Sequence, residues 1–124
     1  MARSYRDLVV WQKAKALAVA VYRATEHFPK HELYGLTAQI RRSAVSVASN
    51  IAEGQGRLGP AEFRHFLGQA RGSLLELDTQ ISIARDLEYL EDENHKILDD
   101  QIYAVLGLLN RLLESLREKA SLKP

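Results

Sequence analysis

The sequence predicts an all-α fold, an antiparallel up-down-up-down four-helix bundle, in a single domain spanning residues 1–124. Three observations support this prediction. Apolar residues recur at steps of three and four in four segments, and proline and glycine mark the boundaries between those segments. No segment shows the alternation of apolar and polar residues that a half-buried strand requires. The connections are short, which favours antiparallel neighbours.

The first predicted helix covers about residues 6–27, with Val10, Ala14 and Leu17 opening its apolar stripe. It ends before Pro29, because proline disfavours the α conformation of the residue preceding it. The second predicted helix covers about 33–54 and has a looser stripe over 36–51. Glycines then separate it from the third helix.

The third predicted helix covers about 61–88, where Pro60 is placed to open the first turn. Its stripe runs through 63–84. The fourth predicted helix covers about 93–119, and the acidic run before its stripe at 98–116 suits a helix N-terminus. A period near 3.5 residues keeps one face of each helix against its neighbours, as left-handed bundle packing requires.

Two helices have apolar residues beside the main stripe. Trp11, Ala18 and Tyr22 form a second stripe on the first helix, and Leu106 and Leu113 do so on the fourth. A helix that is apolar over more than one stripe is often covered on more than one side. Two interpretations stay open: a wide core face, or a contact between subunits.

Polar residues form further lines on the second and third helices, including Arg42, Glu53 and Glu76. If these lines meet, an Arg42–Glu76 ion pair, or serine hydroxyls bonded to glutamine amides, would fix the register of the helices or subunits. The alternative is a pair of solvated faces. Gly68 and Gly72, four apart within a helix, suggest either the close approach of another helix or a tolerated departure from helix-forming residues.

Charge is unevenly distributed although the net charge is +1. Residues 1–75 contain 11 Lys/Arg and 5 Asp/Glu, whereas residues 76–124 contain 6 and 11. Antiparallel order would bring several basic residues to the end that holds both termini and the second turn: Arg3, Arg6, Arg57, Arg64, Arg117, Lys119 and Lys123. Such a basic pole is a candidate contact for a partner or for nucleic acid, bound through phosphates with salt-sensitive affinity.

No pattern predicts catalytic, cofactor-binding or metal-binding residues. The chain has no cysteine, which excludes disulfides and thiolate metal sites. Glu62-x-x-His65 and Asp92-x-x-His95 have the spacing of di-iron ligands, but the predicted topology puts them at opposite ends of the bundle. We therefore expect a protein that is not an enzyme and has no cofactor.

Several separated segments resemble the 23S rRNA-intervening sequence proteins, also called S23 ribosomal protein homologues. The resemblance is carried by 8–14, 21–29, 32–36, 39–46, 63–67 and 72–76, and most specifically by Ser49-Asn50-Ile51-Ala52-Glu53-Gly54. It implies an antiparallel four-helix bundle that assembles as a homopentameric ring. The family supplies no catalytic residues.

A related group serves diversity-generating retroelements as accessory proteins that bind a reverse transcriptase and nucleic acid. Those relatives are basic, whereas this chain is nearly neutral. We therefore expect a soluble, cytoplasmic, non-catalytic scaffold or adaptor that binds itself and a protein partner, with no membrane span. A nucleic-acid-binding accessory protein of the rRNA intervening-sequence or retroelement type is the alternative.

Overall fold

The computed structural model describes residues 4–121. Within that range the chain forms four α-helices and no strand, so the all-α prediction is confirmed. The helices are α1 (Val9–Ala24), α2 (Leu36–Gln55), α3 (Pro60–Asp86) and α4 (Asp92–Ser121). Two short 3-10 helices, Tyr5–Asp7 and Lys30–Glu32, precede α1 and α2 respectively.

The first helix is shorter at both ends than the predicted 6–27. Tyr5–Asp7 forms a 3-10 turn instead, and the Ser4 hydroxyl accepts a hydrogen bond from the Arg6 backbone N–H at 3.2 Å. At the other end, Thr25 caps α1, and a further turn brings Phe28 back into the core, where it is buried. Burial of this aromatic ring favours ending the helix before the proline boundary.

The second helix begins at Leu36 rather than at 33 because a side chain provides its cap. Oε1 of Glu32 accepts a hydrogen bond from the Leu36 backbone N–H at 3.2 Å, satisfying one of the free donors of the first turn. Gly35 makes room for this carboxylate, since a Cβ at Gly35 would lie 2.9 Å from the same oxygen. A loop side chain thus sets where α2 starts.

The third helix ends at Asp86 in a turn of specific geometry. The Tyr89 N–H donates to the Ala84 carbonyl and the Glu88 N–H donates to the Arg85 carbonyl, both at 2.9 Å. This pair of bonds is the Schellman motif, in which one residue adopts the left-handed conformation. Glu88 does so, with φ of 66°. The motif redirects the chain into α4 over only five residues.

The helices form a closed cycle of neighbours around one core. Within residues 4–121, α1 packs on α2 and α4, and α3 packs on α2 and α4, while the diagonal pairs make no contact. The predicted stripes supply the core, and their largest fully buried side chains are Leu17, Val21, Ile40, Val47, Ile51, Leu67, Leu74, Leu77, Ile81, Ile102, Val105 and Leu109. The interior is thus built from one face of each helix.

The closest packing is between α2 and α3, and Gly54 is the reason it can be so close. A Cβ at Gly54 would lie 2.7 Å from Cβ of Phe66 and 3.0 Å from Cδ1 of Phe63. By contrast, a Cβ on Gly68 or Gly72 would meet nothing within 4 Å. The close approach predicted for Gly68 and Gly72 is therefore wrong within this chain, and Gly54 is the position where it occurs.

None of the described helices combines the length and the sustained apolar sequence needed to cross a bilayer.

Candidate interaction surfaces

An apolar groove lies between α1 and α2, and we call it the α1–α2 groove. It encloses about 710 Å³. Trp11, Ala18 and Tyr22, the second stripe predicted on the first helix, all line it. The facing wall on α2 includes Val45 and Ala48, which the sequence analysis did not single out.

The groove is largely apolar and open to solvent. Val19, Tyr22 and Val45 retain 43, 44 and 43% of their exposure, which is high for such side chains in a folded domain. Ala18 and Ala48 pack against the core beneath them. Small side chains on the floor and larger ones at the rim make this surface concave.

Cations are held against the aromatic rings of the groove. The Lys15 ammonium lies 5.4 Å from the centre of the Trp11 ring, and the Arg41 guanidinium lies 4.7 Å from that of Tyr22. Nε of Arg41 also donates a hydrogen bond to Oγ1 of Thr25 at 2.9 Å, which ties α2 to the end of α1. These distances are within the range of cation–π attraction. The aromatic groups of the groove are therefore held in place by basic neighbours.

The N-terminal end of the groove is closed by the 3-10 turn. The Tyr5 ring meets the Trp11 ring edge-on, with centroids 5.0 Å apart and planes inclined by 70°. This T-shaped contact is a preferred aromatic geometry. Tyr5 therefore extends the apolar surface beyond the first turn of α1.

Leu106 and Leu113, the second stripe predicted on the fourth helix, occupy a different position. Both are half-buried and pack against the core. Leu113 also lines a depression of about 530 Å³ that includes Ala61, Gly68 and Gln69 of α3. Like Trp11 and Ala18, these two leucines are partly buried against the core, and Leu113 keeps part of its surface open to the depression.

The polar lines on α2 and α3 meet through serine. The hydroxyls of Ser46 and Ser73 lie 2.9 Å apart, and Nδ2 of Asn50 donates to Oγ of Ser46 at 3.0 Å. The expected serine–glutamine bonds are replaced by this serine pair. A hydrogen bond between half-buried hydroxyls favours one relative position of α2 and α3 within an otherwise apolar contact.

Within the chain Arg42 and Glu76 do not pair: both side chains are exposed, and no ion pair joins them in the described range. Their helices meet instead along the faces that carry Ser46 and Ser73. A pairing of Arg42 with Glu76 between subunits stays a prediction. Glu53 pairs with Arg57 one turn further along the chain, with Nη2 and Oε1 2.8 Å apart. An exposed pair of this kind contributes little to stability.

The predicted basic pole is partly neutralised where the structure describes it. Arg6, Arg57, Arg64, Arg117 and Lys119 are exposed. Arg57 is paired with an acid, as described above, and Nη1 of Arg117 lies 3.9 Å from a Glu114 carboxylate oxygen. The remaining two members, Arg3 and Lys123, lie outside the described residues.

One polar cluster that sequence reasoning missed joins two turns. The Tyr89 hydroxyl donates to Oε2 of Glu32 at 2.9 Å, and the Tyr89 ring packs 5.5 Å from that of Phe28. The hydrogen bonds from the Leu36 N–H and the Tyr89 hydroxyl lower the pKa of Glu32, and the bond to Glu32 raises the pKa of Tyr89. Both side chains therefore hold the connection before α2 against the turn between α3 and α4.

The two short acid–histidine motifs have the spacing of metal ligands. Across residues 4–121, no three His, Asp or Glu side chains come together as a metal-binding group. Glu62 and His65 lie in the first turns of α3, and Asp92 and His95 in the first turns of α4.

Comparisons with known proteins give a family and a fold. Residues 6–111 match the family of the 23S rRNA-intervening sequence proteins. A solved protein of unknown function from the S23 ribosomal protein family of Bacteroides thetaiotaomicron superposes with a TM-score of 0.79 at 21% identity, covering 86% of this chain and 96% of that one. At that identity the likeness concerns the fold alone. No curated protein matches the sequence.

Proposed function

We propose, on the premise that this chain belongs to the 23S rRNA-intervening sequence protein family, that it is a non-catalytic protein that self-assembles and serves as a scaffold or adaptor. The observation that carries the proposal is the α1–α2 groove, an apolar concave surface of about 710 Å³ left open on the single chain. Apolar patches of this kind mark interaction sites.

The protomer architecture that we propose is the antiparallel up-down-up-down bundle. Support comes from contacts along the helix pairs. Ser46 meets Ser73, whereas Gly54, later in α2, meets Phe63, earlier in α3. Chain neighbours joined by short turns favour the same order.

A similar progression is found between α3 and α4. Nε of Arg71 donates to Oδ1 of Asn110 at 2.9 Å, and Arg85, later in α3, reaches Asp92 at the start of α4, with 3.0 Å between Nε and Oδ1. Increasing position in one helix thus goes with decreasing position in the next. This supports antiparallel order for that pair as well.

For assembly, the second stripe of α1 is our choice of interface. Trp11, Ala18 and Tyr22 share one concave surface, so a single partner can remove their remaining apolar area from water together, at about 25 cal/mol for each Å². Leu106 and Leu113 of α4 do not line this groove, so we do not place them at this interface. The homopentameric ring implied by the family is the assembly that we propose.

A non-catalytic role is supported by what the candidate surfaces are made of. The α1–α2 groove is lined mainly by alkyl and aromatic groups, and its charged members Lys15, Arg23 and Glu26 are typical rim residues. We propose that no cofactor takes part. The absence of cysteine from the sequence suits our placement of the protein in the reducing cytoplasm.

The experiment that tests self-assembly is a mass measurement by light scattering coupled to size exclusion. One chain has a mass of 14.0 kDa, and we expect a species of about five times that mass at micromolar concentration. A species that stays at 14.0 kDa across the accessible concentration range would refute self-assembly.

The alternative is a nucleic-acid-binding accessory protein. Exposed Arg6, Arg64 and Lys119 support it, whereas the acid partners of Arg57 and Arg117 weaken it. Binding through phosphates falls steeply with salt. A filter-binding titration with single-stranded RNA and duplex DNA at low and high salt separates the two functions, because retention lost with salt favours the alternative and no retention at low salt removes it.

A further inference from the structure

A second apolar surface lies on α3, the helix diagonal to α1. Leu75, Thr79 and Ile83 follow one another at steps of four on α3 and form what we call the α3 outer row. Leu75 and Ile83 are 40 and 45% exposed, respectively. Thr79 donates its hydroxyl hydrogen to the Leu75 carbonyl at 2.9 Å, so it does not require a polar partner from outside. The row is therefore a convex apolar edge.

The α3 outer row and the α1–α2 groove are unable to cover each other within one chain. In the described residues α1 and α3 make no contact, since they are separated by α2 on one side and α4 on the other. Each chain consequently exposes both a concave and a convex apolar surface. A second copy of the chain can supply the missing half of each.

The charges around the two surfaces also favour contact between the groove of one copy and the α3 outer row of another. The charged residues that line the groove are Lys15, Arg23 and Glu26, and the Arg41 guanidinium lies over the Tyr22 ring, so three basic side chains face the groove against one acid. The α3 outer row is flanked by exposed Glu76 and Asp86. Of the basic residues near it, Arg71, one turn before Leu75, donates to Asn110 of α4, and Arg85 is paired with Asp92. A basic surface facing an acidic one is the complementarity that fixes orientation at an interface.

We propose that the α1–α2 groove of one copy receives the α3 outer row of the next, in a head-to-tail contact. This rests on the proposed self-assembly and deepens it by naming the two surfaces. A contact between different surfaces on identical chains propagates, and it closes into a ring when the rotation between copies permits. Every groove and every row is then filled.

The test uses two variants that each block one surface at an exposed position. Val19→Arg places a cation at the rim of the groove, and Ile83→Arg places one on the row. We expect each variant alone to have the mass of one chain. Mixed in equal amounts at high concentration, they should form a dimer of twice 14.0 kDa and nothing larger, because only one intact groove and one intact row remain.

A matched control and a local probe accompany the mass measurement. Tyr103→Arg changes a 62% exposed residue on α4 and should leave the wild-type mass unchanged. Trp11, the one tryptophan of the chain, lies in the groove, so its emission should move to longer wavelength in Ile83→Arg although that change is on another helix. Far-UV circular dichroism verifies that each variant keeps its helices.

The outcomes separate the two proposals. A wild-type chain that is monomeric refutes self-assembly and with it this pairing. A wild-type assembly that survives both Val19→Arg and Ile83→Arg refutes the pairing alone, as does a mixture of the two that stays monomeric. Dissociation by Tyr103→Arg would also overturn it, since the contact would then involve α4.

Discussion

The hydroxyl of Tyr89 donates a hydrogen bond of 2.9 Å to Oε2 of Glu32, a residue 57 positions away in the chain. Through its other oxygen, Glu32 caps the first turn of α2. One carboxylate therefore links the α1–α2 connection, the start of α2 and the turn between α3 and α4. This end of the molecule is stabilised by a polar contact between loops as well as by the core.

Removing the Tyr89 hydroxyl should destabilise the fold without disturbing packing. In Tyr89→Phe the ring keeps its contact with Phe28, while Glu32 loses one of its two donors. We expect a lower Tm by thermal circular dichroism at pH 7. Tyr103→Phe removes a hydroxyl from an exposed ring on α4 and serves as the control. Equal Tm values for the two variants would contradict the role of the bond.

The same bond predicts a pH dependence. The folded-state pKa of Glu32 is lowered below its ordinary value of 4.5, mainly by the Leu36 N–H and then by Tyr89. A carboxyl group whose pKa is lowered by folding stabilises the fold at pH values above its ordinary pKa. That stabilisation is lost as the pH falls through the pKa of the folded state.

We therefore expect the Tm difference between wild type and Glu32→Gln to be full at pH 6–7 and to shrink below about pH 4.5. Urea unfolding at several pH values gives the same comparison as a free energy of unfolding. Glu26→Gln, an exposed change in the same connection, provides the control. A difference that stayed constant down to acid pH would show that the charge of Glu32 is not what stabilises the turn.

Replacing glycine by alanine should change the stability of the fold in opposite directions at Gly54 and at Gly107. A methyl group at Gly54 would collide with Phe66 and Phe63, so Gly54→Ala should destabilise by about 1–3 kcal/mol through overpacking. At Gly107, within α4, nothing lies within 4 Å of the added carbon. Gly107→Ala should therefore stabilise by up to about 1 kcal/mol through helix propensity. Chemical denaturation measures both, and changes of the same sign would count against this explanation.

At position 88, glycine should stabilise the fold more than the native glutamate does. Its φ of 66° lies in the left-handed region, which costs a residue with a Cβ roughly 1 kcal/mol. Glu88→Gly should raise the free energy of unfolding by about 0.5–1 kcal/mol. Glu88→Val should lower it, because a β-branched side chain is least tolerated there. If glycine gave no gain over valine, the left-handed conformation would not limit stability.

Much of the fold could be predicted from local patterns. The stripes through Leu17, Ile40, Leu74 and Leu109 identified four helices and their buried faces, because helical periodicity is encoded within a few turns of sequence. The helix ends were less accurate. They depend on side-chain caps such as Glu32 and on turn geometry such as that of Glu88, and neither has a strong sequence signal.

Only part of the candidate site could be predicted from the sequence. Trp11, Ala18 and Tyr22 stood out as a second apolar stripe, yet whether they were core or surface depended on how far α2 covers them. The same pattern on α4, at Leu106 and Leu113, lies outside the groove, and Leu113 instead lines a depression with residues of α3. Periodicity gives the direction of a side chain relative to its own helix, but it does not give the distance from that side chain to the neighbouring helix.

The sequence by itself determined that this chain is all-α, that it has four amphipathic helices, and which residues they bury. Only the tertiary structure decided that Gly54 rather than Gly68 or Gly72 marks the close helix contact, that Ser46 meets Ser73, and that a groove stays open between α1 and α2. The physical reason is that helix formation depends on neighbours three and four residues apart, whereas these features depend on the rotation and spacing of whole helices packed together.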